Sequence, residues 1–154
     1  MLTSKGKYAL RAAVYLARHH TEEGWALAVD IAAAEEIPKK FLEAILVELR
    51  DEHIVVSRRG RNGGYRLAQP PDRIGAGDVI RAIDGPLALT PCTSRTQYGP
   101  CQDCVSPTVC ALRPVLQKAR DAIADVLDGH SLATMAGLAP PPAPTARRKA
   151  APPA

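Results

Sequence analysis

The chain has 154 residues, 46% of them apolar and 23% charged, with a net charge of +4. This length accommodates one core of ordinary size with an added helical arm and excludes two large independent domains. The N-terminus lacks an apolar signal core and no run approaches the ~18 apolar residues of a membrane span, so a soluble, cytoplasmic protein is expected.

Between Tyr8 and His19, the residues Leu10, Ala13, Val14 and Ala17 recur at helical spacing and are expected to face the core, with Lys7, Arg11 and Arg18 on another face. Gly24 interrupts the chain before a short alanine-rich helix from Ala28 to Ala34. Glu35-Glu36-Ile37 then reads as a turn, and Pro38 suits the first turn of the next helix. From Pro38 to about Glu52, the residues Leu42, Ile45, Leu46 and Leu49 form a stripe that must be buried, which turns Lys40, Glu43, Ala44 and Val47 outward. Ile54-Val55-Val56 and Tyr65-Arg66-Leu67 are β-prone and flank Arg58-Arg59-Gly60-Arg61-Asn62-Gly63-Gly64, where Asn-Gly-Gly is expected to supply the positive φ of a hairpin bend. Short helix, tight turn, second helix and basic hairpin is the layout of a winged helix-turn-helix, whose second helix enters the DNA major groove.

Pro70-Pro71 closes the hairpin, and Gly77 to Gly85 reads as a short helix ending at glycine. Beyond the cysteines, Val115, Leu116, Ala119, Ala122, Ile123, Val126 and Leu127 give an apolar seam of about 3.5-residue period, ended by Gly129. With a small winged-helix core already complete, this seam is expected to pair with a second copy of the chain. Ser131 is placed to cap a last turn through Met135, and the proline-rich stretch from Ala139, with Arg147-Arg148-Lys149, is expected to be disordered. The fold class is therefore mainly α with a small β-hairpin wing. Its expected divisions are a DNA-binding domain at 1–85, a cysteine-rich sensor loop at 86–112, a dimerisation helix at 113–137 and a basic tail at 138–154.

Arg58, Arg59 and Arg61, with Arg66 nearby and no acid among residues 57–69, concentrate positive charge where a hairpin tip can meet phosphates or a narrow minor groove. Lys39 and Lys40 at the start of the second helix are candidates for backbone phosphates. Glu43 is tolerable against DNA mainly where it accepts from a cytosine amino group. Lys5 and Tyr8 are further candidates for phosphate contact, Tyr8 being equally a core residue. His19, His20, His53 and His130 are scattered and read as surface or cap residues. All four cysteines, Cys92, Cys101, Cys104 and Cys110, fall in one short stretch broken by Gly99, Pro100 and Pro107. Structural disulfides are uncommon in the cytoplasm, so metal or redox chemistry is favoured. Thiolates suit an iron-sulphur cluster and tetrahedral zinc alike, and Cys-x-x-Cys also suits a dithiol, so the residues alone leave these open. A thiol oxidoreductase would set that motif beside a strand-helix-strand unit, which is absent. No catalytic triad, phosphate loop or paired carboxylates are recognisable, so no enzyme is expected.

Four passages carry a specific resemblance: Ser4-Lys5-Gly6-Lys7-Tyr8-Ala9-Leu10, Lys39-Lys40-Phe41-Leu42-Glu43, Arg58-Arg59-Gly60-Arg61-Asn62-Gly63-Gly64-Tyr65, and Gly77-Asp78-Val79-Ile80-Arg81-Ala82-Ile83-Asp84-Gly85. In them the sequence resembles the IscR/NsrR/RirA-type (Rrf family) winged-helix regulators, and the resemblance extends over nearly the whole chain apart from the tail. It implies a homodimer on palindromic double-stranded promoter DNA, acting as a repressor. It further implies a 2Fe-2S or 4Fe-4S cluster on a three-cysteine loop that senses redox, iron or nitrosative state, and a part for Glu43 in sequence discrimination. Zinc or a dithiol switch is the alternative. The family's fourth ligand is a histidine three residues after the last cysteine or an N-terminal carboxylate, and those positions hold Arg113 and Lys7 here. Against the family pattern Cys92 and Cys110 match the outer cysteines, and Cys104 keeps the gap before the last one better than Cys101. The fourth cysteine stands as the extra ligand or an exchanging thiol. Loss of the centre is expected to disorder residues 92–110 and to shift the dimer helix, changing the spacing of the recognition helices.

Overall fold

The third helix organises the core. In the computed structural model, which describes residues 2–21 and 24–143, α3 (Lys39–Asp51) buries Leu42, Ile45, Leu46 and Leu49 completely, as their spacing demands. It packs against α1 (Ser4–Arg18) and α2 (Ala28–Ala34). Pro38 sits just outside α3 as its N-cap rather than within it, and the turn before it passes through Glu36 at φ 50°. α1 starts at Ser4 instead of Tyr8. Thr3 caps it, its hydroxyl accepting from the Gly6 amide at 3.0 Å, while its own amide donates to Asp84 at 2.9 Å. The inward face of α1 is also rotated from the expected one: Ala9, Ala12, Ala13, Leu16 and Ala17 are buried, whereas Leu10 and Val14 are only partly covered. Small side chains let α1 lie close to its neighbours, chief among them α4 (Ala76–Asp84).

β1 (Val55–Arg58) and β2 (Gly64–Leu67) form the antiparallel hairpin, with Val55 opposite Leu67 and Arg58 opposite Gly64. Ala26, ahead of α2, bridges to Tyr65 through hydrogen bonds of 2.9 and 2.8 Å and so lays a third short segment on the wing. The positive φ of the bend lies at Gly60 (108°) and Gly64 (135°), so of Asn62-Gly63-Gly64 only the last residue supplies it. A side chain at Gly64 would also collide with the Ala26 carbonyl. Gly64→Ala is therefore expected to cost about 2 kcal/mol or more, read as a lowered denaturant midpoint. An unchanged midpoint would show that the bridge to Ala26 yields without penalty.

After α4 the chain turns at Gly85 (φ 81°) and runs through residues 86–112, where a 3-10 turn, Pro91–Thr93, is buried at Cys92 and Thr93. α5 (Arg113–Gly129) follows, then α6 (Leu132–Met135), whose N-cap Ser131 accepts from the Thr134 amide. Leu132 is fully buried and its amide donates to the Ile74 carbonyl at 2.8 Å. Arg81 of α4 grips Asp128 of α5 through both guanidinium nitrogens, each at 2.8 Å. The C-terminal end of α5 is thereby joined to the core. The rest of the helix rests lightly on its own protomer: α5 has no buried residue, and Val115 and Val126 are 67% and 56% exposed. His19 and His130 are cap residues, each hydrogen-bonded through Nδ1 to a carbonyl four residues earlier. Of the tail expected to be disordered from Ala139, residues 144–154 lie outside the described residues. No helix among the described residues is long and apolar enough to cross a membrane.

Candidate DNA interface and cysteine cavity

The N-terminal turn of α3 and the wing are the two elements that carry the basic candidates. Lys39 and Lys40 are exposed at the start of α3. Lys39 lies 3.8 Å from Glu43 one turn on, so the carboxylate is held beside a cation and its charge partly offset. Lys5 reaches across from α1 to Glu48 of α3 at 2.7 Å, an ion pair that ties the two helices and reduces what Lys5 can offer a phosphate. Tyr8 packs on the core edge, its ring meeting Phe41 edge-on at 5.7 Å. Phe41 lies beside Lys40 in the first turn of α3, so Tyr8 packs close to that turn.

The wing arginines divide into two kinds. Arg58 folds back to donate from Nε to the Asn62 carbonyl at 3.1 Å, and from Nη2 to the same oxygen, closing the bend. Its guanidinium also lies 4.5 Å from the centre of the Trp25 ring, and that of Arg66 lies 4.7 Å from it. Arg59 and Arg61 are exposed at the tip, and among the described residues neither has a recorded ion pair. Trp25 was not among the sequence candidates. It lies more than thirty positions from its arginines, and only its place beside the Ala26 bridge brings them together.

The cysteines meet between the segment after α4 and the start of α5. Cys92, Cys101, Cys104 and Cys110 line one cavity of about 350 Å³ together with Thr90, Asp103 and the first turns of α5. All four are free thiols, Cys92 being 4% exposed and the others partly covered. A hydrogen bond from the Thr90 hydroxyl holds the Cys92 thiol below its ordinary pKa, assisted by the Cys101 thiol and by the charge of Arg113, against the opposing effect of burial. Cys101 is raised in turn, first by its hydrogen bond to Cys92. Of the other three thiols, Cys101 is the one whose hydrogen bond bears on Cys92. Among the described residues no three Cys, His, Asp or Glu side chains are grouped to hold a single metal ion, so the loop is an open cavity of sulphur donors rather than a closed cage. Four thiols are the donor set an iron-sulphur cluster takes. Arg113 and Lys7, at the positions of the family's fourth ligands, are not donors: Arg113 directs Nε at the Cys92 carbonyl (3.4 Å), and Lys7 lines a separate groove on α1.

The cavity is fastened to α5. Arg120 donates from Nη1 to the Thr93 carbonyl and from Nη2 to Asp121, its side chain only 12% exposed. Asp121 also pairs with Arg95 at 2.7 Å. The backbone that carries Cys92 thus hangs on arginines of α5.

Helix-turn-helix, basic wing and a cysteine cavity joined to a protruding helix define a winged-helix regulator of transcription. The comparisons give the particular family. Residues 2–137 match Rrf2, described as an iron-dependent transcriptional regulator, and the chain belongs to that family. It is 39% identical to an rrf2-like HTH-type regulator of Rhodobacter capsulatus, over 93% of this chain and 97% of that protein. It is 36% identical to the regulator NsrR of Bacillus licheniformis, over 85% and 88% respectively. The solved structure of CymR, the global cysteine regulator of Bacillus subtilis, superposes with a TM-score of 0.72 at 32% identity, covering 90% of this chain and 98% of that one. The relatives are regulators, not enzymes, in keeping with the reading of the sequence.

Proposed function

We propose that this protein is a homodimeric repressor that binds palindromic promoter DNA through α3 and the wing, and reports redox, iron or nitrosative state through an iron-sulphur cluster in the cysteine cavity. One observation carries the sensing part: all four cysteines line a single cavity whose backbone is held by arginines of α5. The exposed apolar face of α5 supports the dimer, since a helix that leaves Val115 and Val126 largely uncovered gains by pairing. The divisions at 1–85, 86–112, 113–137 and 138–154 describe the same plan in linear order.

On the DNA side, Arg59 and Arg61 meet phosphates or the minor groove, Lys39 and Lys40 the backbone at the start of α3, and Glu43 a base edge, with Lys5 and Tyr8 bracing the helix from α1. Arg58 contributes charge while shaping the bend. In the cavity, Cys92, Cys101, Cys104 and Cys110 are the sulphur donors. When bound there, the cluster supplies an iron centre sensitive to oxidation and to nitric oxide. The chain's own part is mechanical: Arg120 and Arg113 hold the Cys92 turn on α5, so a change of order in residues 92–110 alters how α5 is supported and with it the separation of two recognition helices. A dimer reads half-sites about one helical turn apart, so that separation governs affinity.

Protein purified without oxygen is expected to be brown, with charge-transfer absorption and comparable amounts of iron and acid-labile sulphide. Cys92→Ser should lose most of that colour while keeping its α-helical signal. Colourless protein with one zinc per chain would overturn the cluster. Four free thiols lining one cavity also suit one second reading, a dithiol switch. It predicts a metal-free protein whose DNA affinity changes on thiol oxidation.

A further inference from the structure

Several cations of α1 and α3 are held in place by an acid. Lys5 has Glu48, Lys39 has Glu43 and Arg11 has Glu35. Such pairs order a side chain but offset its charge, which weakens what it offers a polyanion. Arg58 is ordered differently. Its partners are the Trp25 ring at 4.5 Å and the Asn62 carbonyl, neither of which carries charge. An aromatic face attracts a cation through its quadrupole and leaves the full positive charge in place. Trp25 is itself fixed, because the neighbouring Ala26 is bonded in both directions to Tyr65 of β2. The chain contains one tryptophan, and it is only partly buried, beside the wing rather than in the core cluster.

We infer that Trp25 is a positioning residue for DNA binding, a clamp that orders the wing through Arg58 without neutralising it. Ordering the bend before binding removes an entropic cost that a loose wing would meet on the DNA, while the local field that attracts phosphate is kept. The inference rests on the proposed contact between wing and DNA.

The test uses the full-length protein and a fluorescent duplex selected by the wild type from a random pool. Trp25→Leu, which keeps apolar bulk but has no ring, is expected to weaken binding roughly fivefold, and Trp25→Phe by less. The salt slope should stay near that of the wild type, because every cation remains. Since Trp25 acts through Arg58, adding Arg58→Gln to Trp25→Leu should cost less than Arg58→Gln costs the wild type. A role in packing alone would make the two losses additive. Should the leucine variant melt at a markedly lower temperature, Trp25→Phe decides: weaker binding at an unchanged melting temperature supports the clamp, and wild-type affinity overturns it. Equal affinity of all variants, or strict additivity with Arg58→Gln, likewise overturns it. Arg59→Ala is the control. If it too leaves binding unchanged, the proposed wing contact has failed; if it weakens binding while Trp25→Leu does not, only the clamp has.

Discussion

Val126→Glu is expected to leave the winged-helix core folded, convert the protein to monomers and lower DNA affinity by about a hundredfold or more. Val126 is 56% exposed and stands outside the core cluster, so the change does not touch Leu42, Ile45 or the other residues that hold the core. In a two-fold dimer the same substitution occurs twice at one self-complementary seam, and an uncompensated carboxylate in an apolar contact costs several kcal/mol. A monomer then holds one half-site and loses the advantage of simultaneous binding. Sedimentation equilibrium and titration of the selected duplex give the two readouts together. A variant that remains dimeric and binds as the wild type would remove α5 from the interface.

The second large effect lies at the wing tip. Arg59→Ala is expected to weaken binding by more than about tenfold and to reduce the salt slope by about one. Arg59 is exposed and has no recorded ion pair among the described residues, so its charge is available to a phosphate or to a narrow minor groove, where negative potential is concentrated. Arg58→Gln should behave differently. Its guanidinium closes the bend on the Asn62 carbonyl, so its loss disturbs wing order as well as charge. Binding by Arg59→Ala with unchanged affinity and unchanged salt dependence would exclude the tip from the interface.

The parts of this architecture that were legible in the sequence share a cause. Leu42, Ile45, Leu46 and Leu49 stand out because large apolar side chains at helical spacing contrast with Lys40 and Glu43 between them. The α1 face was read only in part because alanine has little hydropathic contrast: Ala13 and Ala17 were on it and are buried, Leu10 and Val14 are only partly covered, and Ala9 and Ala12, which permit close approach, did not stand out. The ends of α2, the stop at Gly85 and the cap at Ser131 were readable since each is set by local backbone chemistry. Contacts between distant positions were not. Nothing near Trp25 announces Arg58 and Arg66, nothing near Lys5 announces Glu48, and nothing in the cysteine spacing announces the arginines of α5 that hold the Cys92 turn. The cysteine stretch was recognisable as one site; which thiols touch depends on how its prolines and glycine route the chain.

The segment between Gly85 and Arg113 departs from a helix fixed in the core by α1 and returns to one whose far end is fixed there by Leu132 and by Asp128 on Arg81. The helices on either side of it are therefore anchored by bonds that do not involve the cysteines, while Arg113 and Arg120 hold the Cys92 turn itself. Such an arrangement is exchangeable: a segment of different chemistry could be grafted between the same two anchors, provided it returned a carbonyl to Arg120. In the proposed scheme the reading head and the pairing helix would then be kept while the signal was replaced, which would make this stretch the place to re-address the regulator to another stimulus.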